Sequence, residues 1–165
     1  MSDATPFRVL VLCTGNSARS QIAEALLTTR GRTRGARVVE ATSAGSRPAT
    51  RVNPYAVEVL AWHGIAWDTR TPQSIDAVVA HRFDLVITVC DNARDACPAL
   101  PGARVRVHWG LPDPADEQDP AAARRAFGET YAALERRVEA LLALPLETLD
   151  AAALRERVQR IHLEA

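Results

Sequence analysis

Residues 7–20, FRVLVLCTGNSARS, are the stretch of sequence that decides the fold. Residues 7–12 form a short apolar run rich in β-branched side chains, which is typical of a buried parallel strand. The composition of residues 13–17 is that of a turn, and from Arg19 to about Arg30 apolar residues recur at helical spacing. This stretch therefore predicts a strand, a tight loop and a helix in direct succession.

The rest of the chain continues the alternation of strands and helices. We predict further strands at residues 37–41, 83–89 and 105–108, and helices at residues 54–63, 120–144 and within the last twenty residues. Residues 42–48 and 110–114 are expected to be loops, and the prolines of the second are expected to forbid helix there. Such an alternation indicates an α/β fold with a mainly parallel sheet, whose ligands bind at the carboxyl ends of the strands.

Size and charge restrict the class of protein. The 165 residues fit one domain, with a core at about 7–144 and a helical extension at about 146–165. Twenty arginines balance twenty acidic residues, and no apolar run reaches the length of a membrane span, so neither nucleic acid nor a membrane is an expected partner. The first residues lack the features of a signal peptide. We expect a cytoplasmic monomer.

Several residue patterns outside the first loop predict structure. The long helix has an apolar stripe at positions 126, 127, 130, 134, 138, 141 and 142, and its arginine pairs at 124–125 and 136–137 are expected to face solvent. A partner surface or the core could hold Trp62, Trp67 and Trp109, and we predict the core because aromatic side chains next to apolar runs more often pack there. The four histidines show no metal-ligand spacing with the cysteines, so no zinc site is expected.

The loop at residues 13–20 predicts a site for a tetrahedral oxyanion. Backbone amides that curl into the start of a helix, together with the helix dipole, favour an anion, and Arg19 offers a planar fork of donors to its oxygens. The oxyanion-binding amides are expected from Thr14, Gly15, Asn16, Ser17 and Ala18. Gly15 is expected to allow a turn that a Cβ would obstruct. The same electrostatic field lowers the pKa of a thiol, so Cys13 is predicted to be a thiolate nucleophile, with Ser20 donating a hydrogen bond to it.

The sequence CTGNSARSQ resembles the anion loop of low-molecular-weight tyrosine phosphatases and of the arsenate reductases similar to them. This resemblance covers residues 7–144 and implies a three-layer α/β/α sandwich with a four-stranded parallel sheet. It also implies that Asp113, in the sequence LPDPA, is the general acid that protonates the departing oxygen. No cofactor is expected for either chemistry.

Two further cysteines favour the reductase. Reduction of arsenate to arsenite takes two electrons, most simply from a thiol pair that becomes a disulfide, and the chain has Cys90 and Cys97 in addition to Cys13. Cys90 would attack the Cys13 adduct, and Cys97 would then attack Cys90. The stretches VCDNARDACP and HWGLPDPA resemble those of thioredoxin-coupled arsenate reductases, which implies thioredoxin as the reductant, with glutaredoxin or glutathione as the alternative route.

Other functions remain open at this point. The first alternative is a tyrosine phosphatase, although the phosphatases typically have Tyr where this chain has Ala115; a non-enzymatic anion-binding or redox-sensing module is the next. Some relatives hold an alkali cation behind the loop. The corresponding residues here are Asn16, Glu24, Ser43, Thr71 and Gln73, and since Gln73 replaces a carboxylate, no metal is expected.

Overall fold

The computed structural model describes residues 5–31, 38–89, 100 and 102–164. Its strands are β1 (Phe7–Cys13), β2 (Val39–Gly45), β3 (Leu85–Thr88) and β4 (Arg106–His108). Its α-helices are α1 (Arg19–Gly31), α2 (Pro54–Trp62), α3 (Pro120–Leu142) and α4 (Ala151–Glu164). The strands pair in parallel in the order β2-β1-β3-β4, with helices on both sides of the sheet. The predicted α/β fold with a four-stranded parallel sheet is confirmed.

Strand β1 lies in the middle of the sheet and brings the site together at one edge. Leu12 pairs with Ala44 of β2 on one side and with Thr88 of β3 on the other. Because all three strands run in the same direction, their carboxyl ends meet. Cys13, Gly45 and the residue that precedes Cys90 therefore lie next to one another.

Strand β2 is longer and begins later than its sequence predicts. We expected a strand at 37–41 and a loop at 42–48, but the strand begins at Val39 and continues to Gly45. Residue 37 lies outside the described part of the chain. Phe7 pairs with Val39, and the register runs without a break to the pair Cys13–Gly45. Pairing with a fully buried neighbour thus keeps the polar residues Thr42 and Ser43 in the strand, which local composition does not reveal.

Helix α3 packs its predicted apolar stripe into the core. Phe127, Leu134, Val138 and Leu141 are all buried. Beside this apolar stripe, Arg30 of α1 forms ion pairs with two carboxylates of α3. Its Nη2 lies 2.5 Å from Glu135 Oε2 and its Nη1 lies 2.7 Å from Glu139 Oε1. Charged pairs at the margin and apolar contacts at the centre hold α1 and α3 together.

The sequence-based prediction for Arg137 is wrong. It was expected on a solvated face, but its side chain is buried, with Nη1 3.4 Å from the carbonyl oxygen of Gly110 and Nε without a hydrogen-bond partner in the described residues. Position 137 lies on the same helical face as the buried residues 134, 138 and 141. The spacing therefore places residue 137 on the face that packs into the core, although this residue is an arginine. The other three arginines of the two pairs, Arg124, Arg125 and Arg136, are exposed as predicted.

Helix α4 covers the outer strand β4. The indole Nε1 of Trp109 donates to the carbonyl oxygen of Val158 at 2.9 Å, and the Gln159 amide binds both backbone polar groups of His108. Trp67 and Trp109 are buried, whereas Trp62 is 86% exposed, so its predicted place in the core is wrong. No helix in the described ranges has the length and hydropathy to cross a membrane.

Candidate active site

Cys13 ends β1 and points its sulfur into the loop that leads to α1. The residue is 4% exposed, and its Sγ accepts a hydrogen bond from the backbone amide of Asn16 at 3.1 Å. The hydroxyl Oγ of Ser20, on the first turn of α1, lies 2.8 Å from the same sulfur. The predicted contact between Ser20 and Cys13 is thus present in the structure.

The strained residue of the loop is Asn16 and not Gly15. Asn16 has a positive φ of 51°, which a non-glycine residue adopts only where surrounding contacts impose it. The expectation for Gly15 is wrong, because a Cβ there would meet nothing closer than Ser17 Oγ at 3.5 Å, an ordinary contact. Asparagine tolerates the left-handed region better than most residues, and this was the signal available in the sequence.

Contacts from three directions fix the conformation of Asn16. Its Oδ1 accepts from the backbone amide of Gln73 at 2.9 Å, and its backbone oxygen accepts from the Gln21 amide at 3.0 Å. Its Nδ2 donates to Ser20 Oγ at 2.9 Å and to Ser43 Oγ at 2.8 Å. Because a backbone amide can only donate, Oδ1 must face Gln73, and the two side-chain hydrogens therefore face the serines.

The segment after β2 binds the outer side of the loop. Backbone amides donate to the carbonyl oxygens of four loop residues, in the pairs Ser46–Cys13, Arg47–Thr14, Ala49–Gly15 and Asn53–Ser17. In a trans peptide the N–H points away from the C=O, so the amides that follow these carbonyls face the opposite, inner side. One of them, the amide of Asn16, donates to Cys13 Sγ, and the oxyanion-binding role of the loop amides stays a prediction.

Gly45 allows the loop to approach β2. A Cβ on this residue would lie 2.4 Å from the carbonyl oxygen of Thr14 and 3.0 Å from the amide nitrogen of Asn16. Only glycine accommodates such a close approach. Sequence reasoning placed Gly45 in a loop and therefore missed its role.

Arg19 connects the anion loop with the loop that carries Asp113. Its Nη1 donates to the carbonyl oxygen of Leu111 at 2.9 Å, and its Nη2 lies 3.4 Å from Asp113 Oδ2. The other carboxylate oxygen of Asp113 accepts from the amide of Ala115 and begins a 3₁₀ turn, Pro114–Asp116. The expectation that prolines exclude helix here is wrong at Pro114, since proline suits the first position of a helical turn.

These residues surround a cleft of about 260 Å³. Its lining consists of Cys13, Thr14, Gly15, Ser17, Ala18, Arg19, Asp113 and Ala115. Asn16 and Ser20, by contrast, are fully buried behind the loop. A larger cleft of about 720 Å³ lies at the opposite end of the strands, around Arg8 and Phe83. The smaller one is the better candidate, since parallel sheets bind ligands at the carboxyl ends of their strands and it holds the buried thiol.

Glu24, Ser43 and Gln73, three of the positions compared with the cation ligands of relatives, form hydrogen bonds with other protein groups. Glu24 is buried; its Oε1 accepts from Ser43 Oγ at 2.7 Å and its Oε2 lies 3.2 Å from Arg70 Nη1. The side-chain amide of Gln73 donates to the backbone oxygen of Ser43 at 2.9 Å. Burial raises the pKa of the Glu24 carboxyl, while the hydrogen bond from Ser43 and the charge of Arg70 act in the opposite direction. Arg70 was not identified from the sequence, where it is one of twenty arginines.

The predicted relay cysteines, Cys90 and Cys97, lie outside the described residues. Val89, the residue before Cys90, donates its amide to Leu12 at 3.0 Å, and its own carbonyl accepts from Leu111 at 3.2 Å. Val89 therefore lies between β1 and the loop that carries Asp113, and Cys90 is the next residue in the chain. The roles of both cysteines stay predictions.

Comparison with known proteins gives a consistent set of relatives. The family model for low molecular weight phosphotyrosine protein phosphatases matches residues 8–160. An arsenate reductase of Halalkalibacterium halodurans is 40% identical over 126 residues, which cover 73% of this chain and 87% of that protein.

Two solved structures carry related descriptions. An arsenate reductase in the phosphate-binding state matches with a TM-score of 0.63 at 29% identity. The match covers 82% of this chain and 96% of that one. A thioredoxin-dependent arsenate reductase of Corynebacterium glutamicum has a TM-score of 0.56 at 30% identity, with 84% of this chain and 64% of that one covered.

Proposed function

The chain belongs to the low molecular weight phosphotyrosine protein phosphatase family, and on this premise we propose that it is an arsenate reductase with Cys13 as its nucleophile. The observation that carries the proposal is the buried Cys13 sulfur, which faces a cleft lined by Arg19 and Asp113 in a chain with two further cysteines. Relatives named arsenate reductase support the same substrate. The thiol chemistry suits a reducing compartment such as the cytoplasm.

The first step forms a bond between sulfur and arsenic. The Cys13 thiolate attacks arsenate, one arsenic–oxygen bond breaks, and Asp113 supplies a proton so that the oxygen leaves as water. Arg19 and the inward loop amides bind the remaining oxygens and stabilise the charge that develops on them. Because Arg19 also contacts Leu111 and Asp113, substrate and acid are held in one arrangement.

The second step transfers two electrons to arsenic. The Cys90 thiolate attacks Cys13 Sγ, a Cys13–Cys90 disulfide forms, and the sulfur–arsenic bond breaks with its electron pair on arsenic, which leaves as arsenite. Cys97 then attacks Cys90, which releases the Cys13 thiolate and leaves a Cys90–Cys97 disulfide. An external dithiol, thioredoxin in the first instance, reduces this disulfide and completes the cycle. The role is arsenic detoxification.

The second candidate function is a tyrosine phosphatase, which the family name itself favours. A phosphatase uses the same loop, but water releases its phosphorylated cysteine and no second thiol is needed. Ala115, which lines the cleft next to Asp113, stands where phosphatases typically carry a tyrosine. A small side chain offers no aromatic wall for the substrate ring, so this observation weighs against the phosphatase.

A coupled assay tests the proposal. The purified protein is supplied with arsenate, thioredoxin, thioredoxin reductase and NADPH, and arsenate-dependent NADPH oxidation is followed for the parent, Cys90→Ser and Cys97→Ser. We expect turnover in the parent and none in either variant. Equal turnover in all three proteins would overturn the relay.

Parallel measurements separate the alternatives. Hydrolysis of an aryl phosphate is measured on the same proteins, and glutaredoxin with glutathione replaces thioredoxin in a second series. Cys13→Ser is the common control, because it should abolish both reduction and hydrolysis. Rapid aryl phosphate hydrolysis that survives the loss of Cys90 and Cys97, without arsenate-dependent NADPH oxidation, would establish the phosphatase instead.

A further inference from the structure

Strand β4 lies at the outer edge of the sheet, and a side chain of α4 occupies its open side. In the sheet of the described residues, β4 pairs with β3 and has no strand beyond it. Edge strands present unpaired backbone N–H and C=O groups. At His108 both groups are bonded by Gln159, whose Oε1 accepts from the amide at 3.0 Å and whose Nε2 donates to the carbonyl oxygen at 2.8 Å. Gln159 thus takes the place of a neighbouring strand at this residue.

The two hydrogen bonds require an amide side chain at position 159. A backbone N–H can only donate and a carbonyl oxygen can only accept, so Oε1 of Gln159 must face the amide of His108 and Nε2 must face its carbonyl. A carboxylate of the same shape could not form both bonds, because it has no hydrogen to donate to the carbonyl oxygen. An apolar side chain of similar length could form neither bond.

Helices α3 and α4 also contact the chain where it leaves β4. The amide of Trp109 donates to the carbonyl oxygen of Thr88 in β3 at 2.7 Å, while its buried indole donates to the carbonyl oxygen of Val158 in α4 at 2.9 Å. The carbonyl oxygen of Gly110 lies 3.4 Å from Nη1 of Arg137 in α3. The end of β4 is therefore held by one neighbouring strand and by two helices.

The chain then leads directly to the proposed acid. Leu111 accepts from Arg19 at 2.9 Å, and the carboxylate of Asp113 contacts Arg19 and the amide of Ala115 in its own turn. The position of this carboxylate therefore depends on where the preceding backbone lies. A general acid acts only within hydrogen-bond reach of the atom that it protonates, and a displacement of about 1 Å can reduce a rate by roughly 100-fold. Whatever fixes the end of β4 thus affects proton transfer.

We propose that Gln159 is a positioning residue that fixes the end of β4 and thereby holds Asp113 within reach of the oxygen that leaves arsenate. The inference rests on the proposed function, in which Asp113 is the general acid. It assigns a part in the reaction to the C-terminal helix α4, none of whose residues lines the cleft. The two bonds between Gln159 and His108 are the contacts that carry this role.

Single-turnover formation of arsenite by the full chain, measured at several arsenate concentrations, tests the proposal. Gln159→Met keeps a side chain of similar length but loses both bonds to His108. We expect the rate at saturating arsenate to fall about five- to twentyfold, less than in Asp113→Asn, because the acid is displaced and not removed. The arsenate concentration that gives half of this rate should change less than about twofold, since the anion loop is intact. Gln159→Glu should be slowed as well, and it serves as the test if Gln159→Met does not fold.

A double-mutant cycle separates positioning from a general loss of stability. If Gln159 acts through Asp113, adding Gln159→Met to Asp113→Asn should change the rate less than about twofold, because the group that it positions is already lost. A general loss of stability would lower the rate equally in both backgrounds. Gly102→Ala is the matched control, since its added Cβ would lie 2.2 Å from the carbonyl oxygen of His81, away from the cleft. It should lower the unfolding free energy in urea and leave the rate of the folded protein unchanged.

Three outcomes would overturn the proposal. These are a folded Gln159→Met protein with the parent rate, an effect confined to the half-saturating arsenate concentration, or an undiminished loss of rate in the Asp113→Asn background. Failure of the proposed function would look different, because the parent itself would then form no arsenite. In that case the same cycle with phenyl phosphate, whose leaving oxygen also needs a proton, decides the role of Gln159.

Discussion

The guanidinium of Arg19 lies 3.4 Å from the Asp113 carboxylate and donates to the carbonyl oxygen of Leu111 at 2.9 Å. One side chain thereby joins the loop that holds the nucleophile to the loop that holds the acid. In the proposed mechanism, Asp113 protonates the departing oxygen of an anion in the cleft, while Arg19 binds the oxygens that remain.

Arg19→Lys should reduce kcat/KM for arsenate about tenfold or more. Lysine keeps the charge but loses the planar fork and the contact with Leu111, and a hydrogen bond to a charged group contributes roughly 1.5–3 kcal/mol. Steady-state kinetics in the coupled assay measure the effect, with Arg124→Lys as the control. An unchanged kcat/KM would show that Arg19 does not bind the oxyanion.

Asp113→Asn should slow arsenite formation by roughly 100-fold, the usual range for loss of a general acid. The asparagine oxygen can still accept from Ala115, so the 3₁₀ turn should remain. Rapid-quench measurement of arsenite in a single turnover gives the rate, and Cys13 alkylation should be nearly unaffected. A fast chemical step in this variant would assign the proton to another donor.

Gly45→Ala should destabilise the fold by about 1–3 kcal/mol, as overpacking does, and should also lower the activity of the folded fraction. The reason is the 2.4 Å approach of a Cβ to Thr14, which displaces the anion loop. Gly102→Ala is a matched control, with a Cβ 2.2 Å from His81 at the other end of the sheet. Urea unfolding together with activity should show similar destabilisation in both and a loss of specific activity in Gly45→Ala alone.

Below about pH 6.5, the unfolding free energy should fall more steeply in the parent than in His162→Gln. Burial and the charges of Arg137 and His108 lower the pKa of His162 in the folded state, so the unfolded state takes up this proton first as the pH decreases. The contribution of neutral His162 to the unfolding free energy is therefore fully present above its pKa in the unfolded state, about 6.5, and is lost as the pH falls below that pKa. Identical pH dependences of the two proteins in urea titrations would refute this.

The fold could be predicted from the sequence because its signals are local. The run at residues 7–12, the turn that follows and the periodic helices all recur in the structure close to the predicted bounds. The family resemblance of the anion loop is confirmed as well. Cys13, Arg19, Ser20 and Asp113 are brought together at the expected edge of the sheet.

Features that depend on distant contacts could not be predicted in this way. The extension of β2 to Gly45 depends on pairing with β1, and the strain falls on Asn16 because Gln73 and Ser43 hold its side chain. Arg137 is buried, donates to the carbonyl oxygen of Gly110 and lies close enough to His162 of α4 for its charge to lower the pKa of that histidine, and neither residue is adjacent to it in sequence. Charge at a position suggests exposure, and only the tertiary structure corrects that suggestion.

The most direct test of the central claim is a single turnover without an external reductant. The fully reduced protein is mixed with a small excess of arsenate, arsenite is quantified, and the remaining thiols are titrated after denaturation. The three-thiol mechanism predicts one arsenite per chain and the loss of two of the three thiols. It also predicts a Cys90–Cys97 disulfide in the product and no arsenite from Cys90→Ser. Retention of all three thiols without arsenite would contradict it.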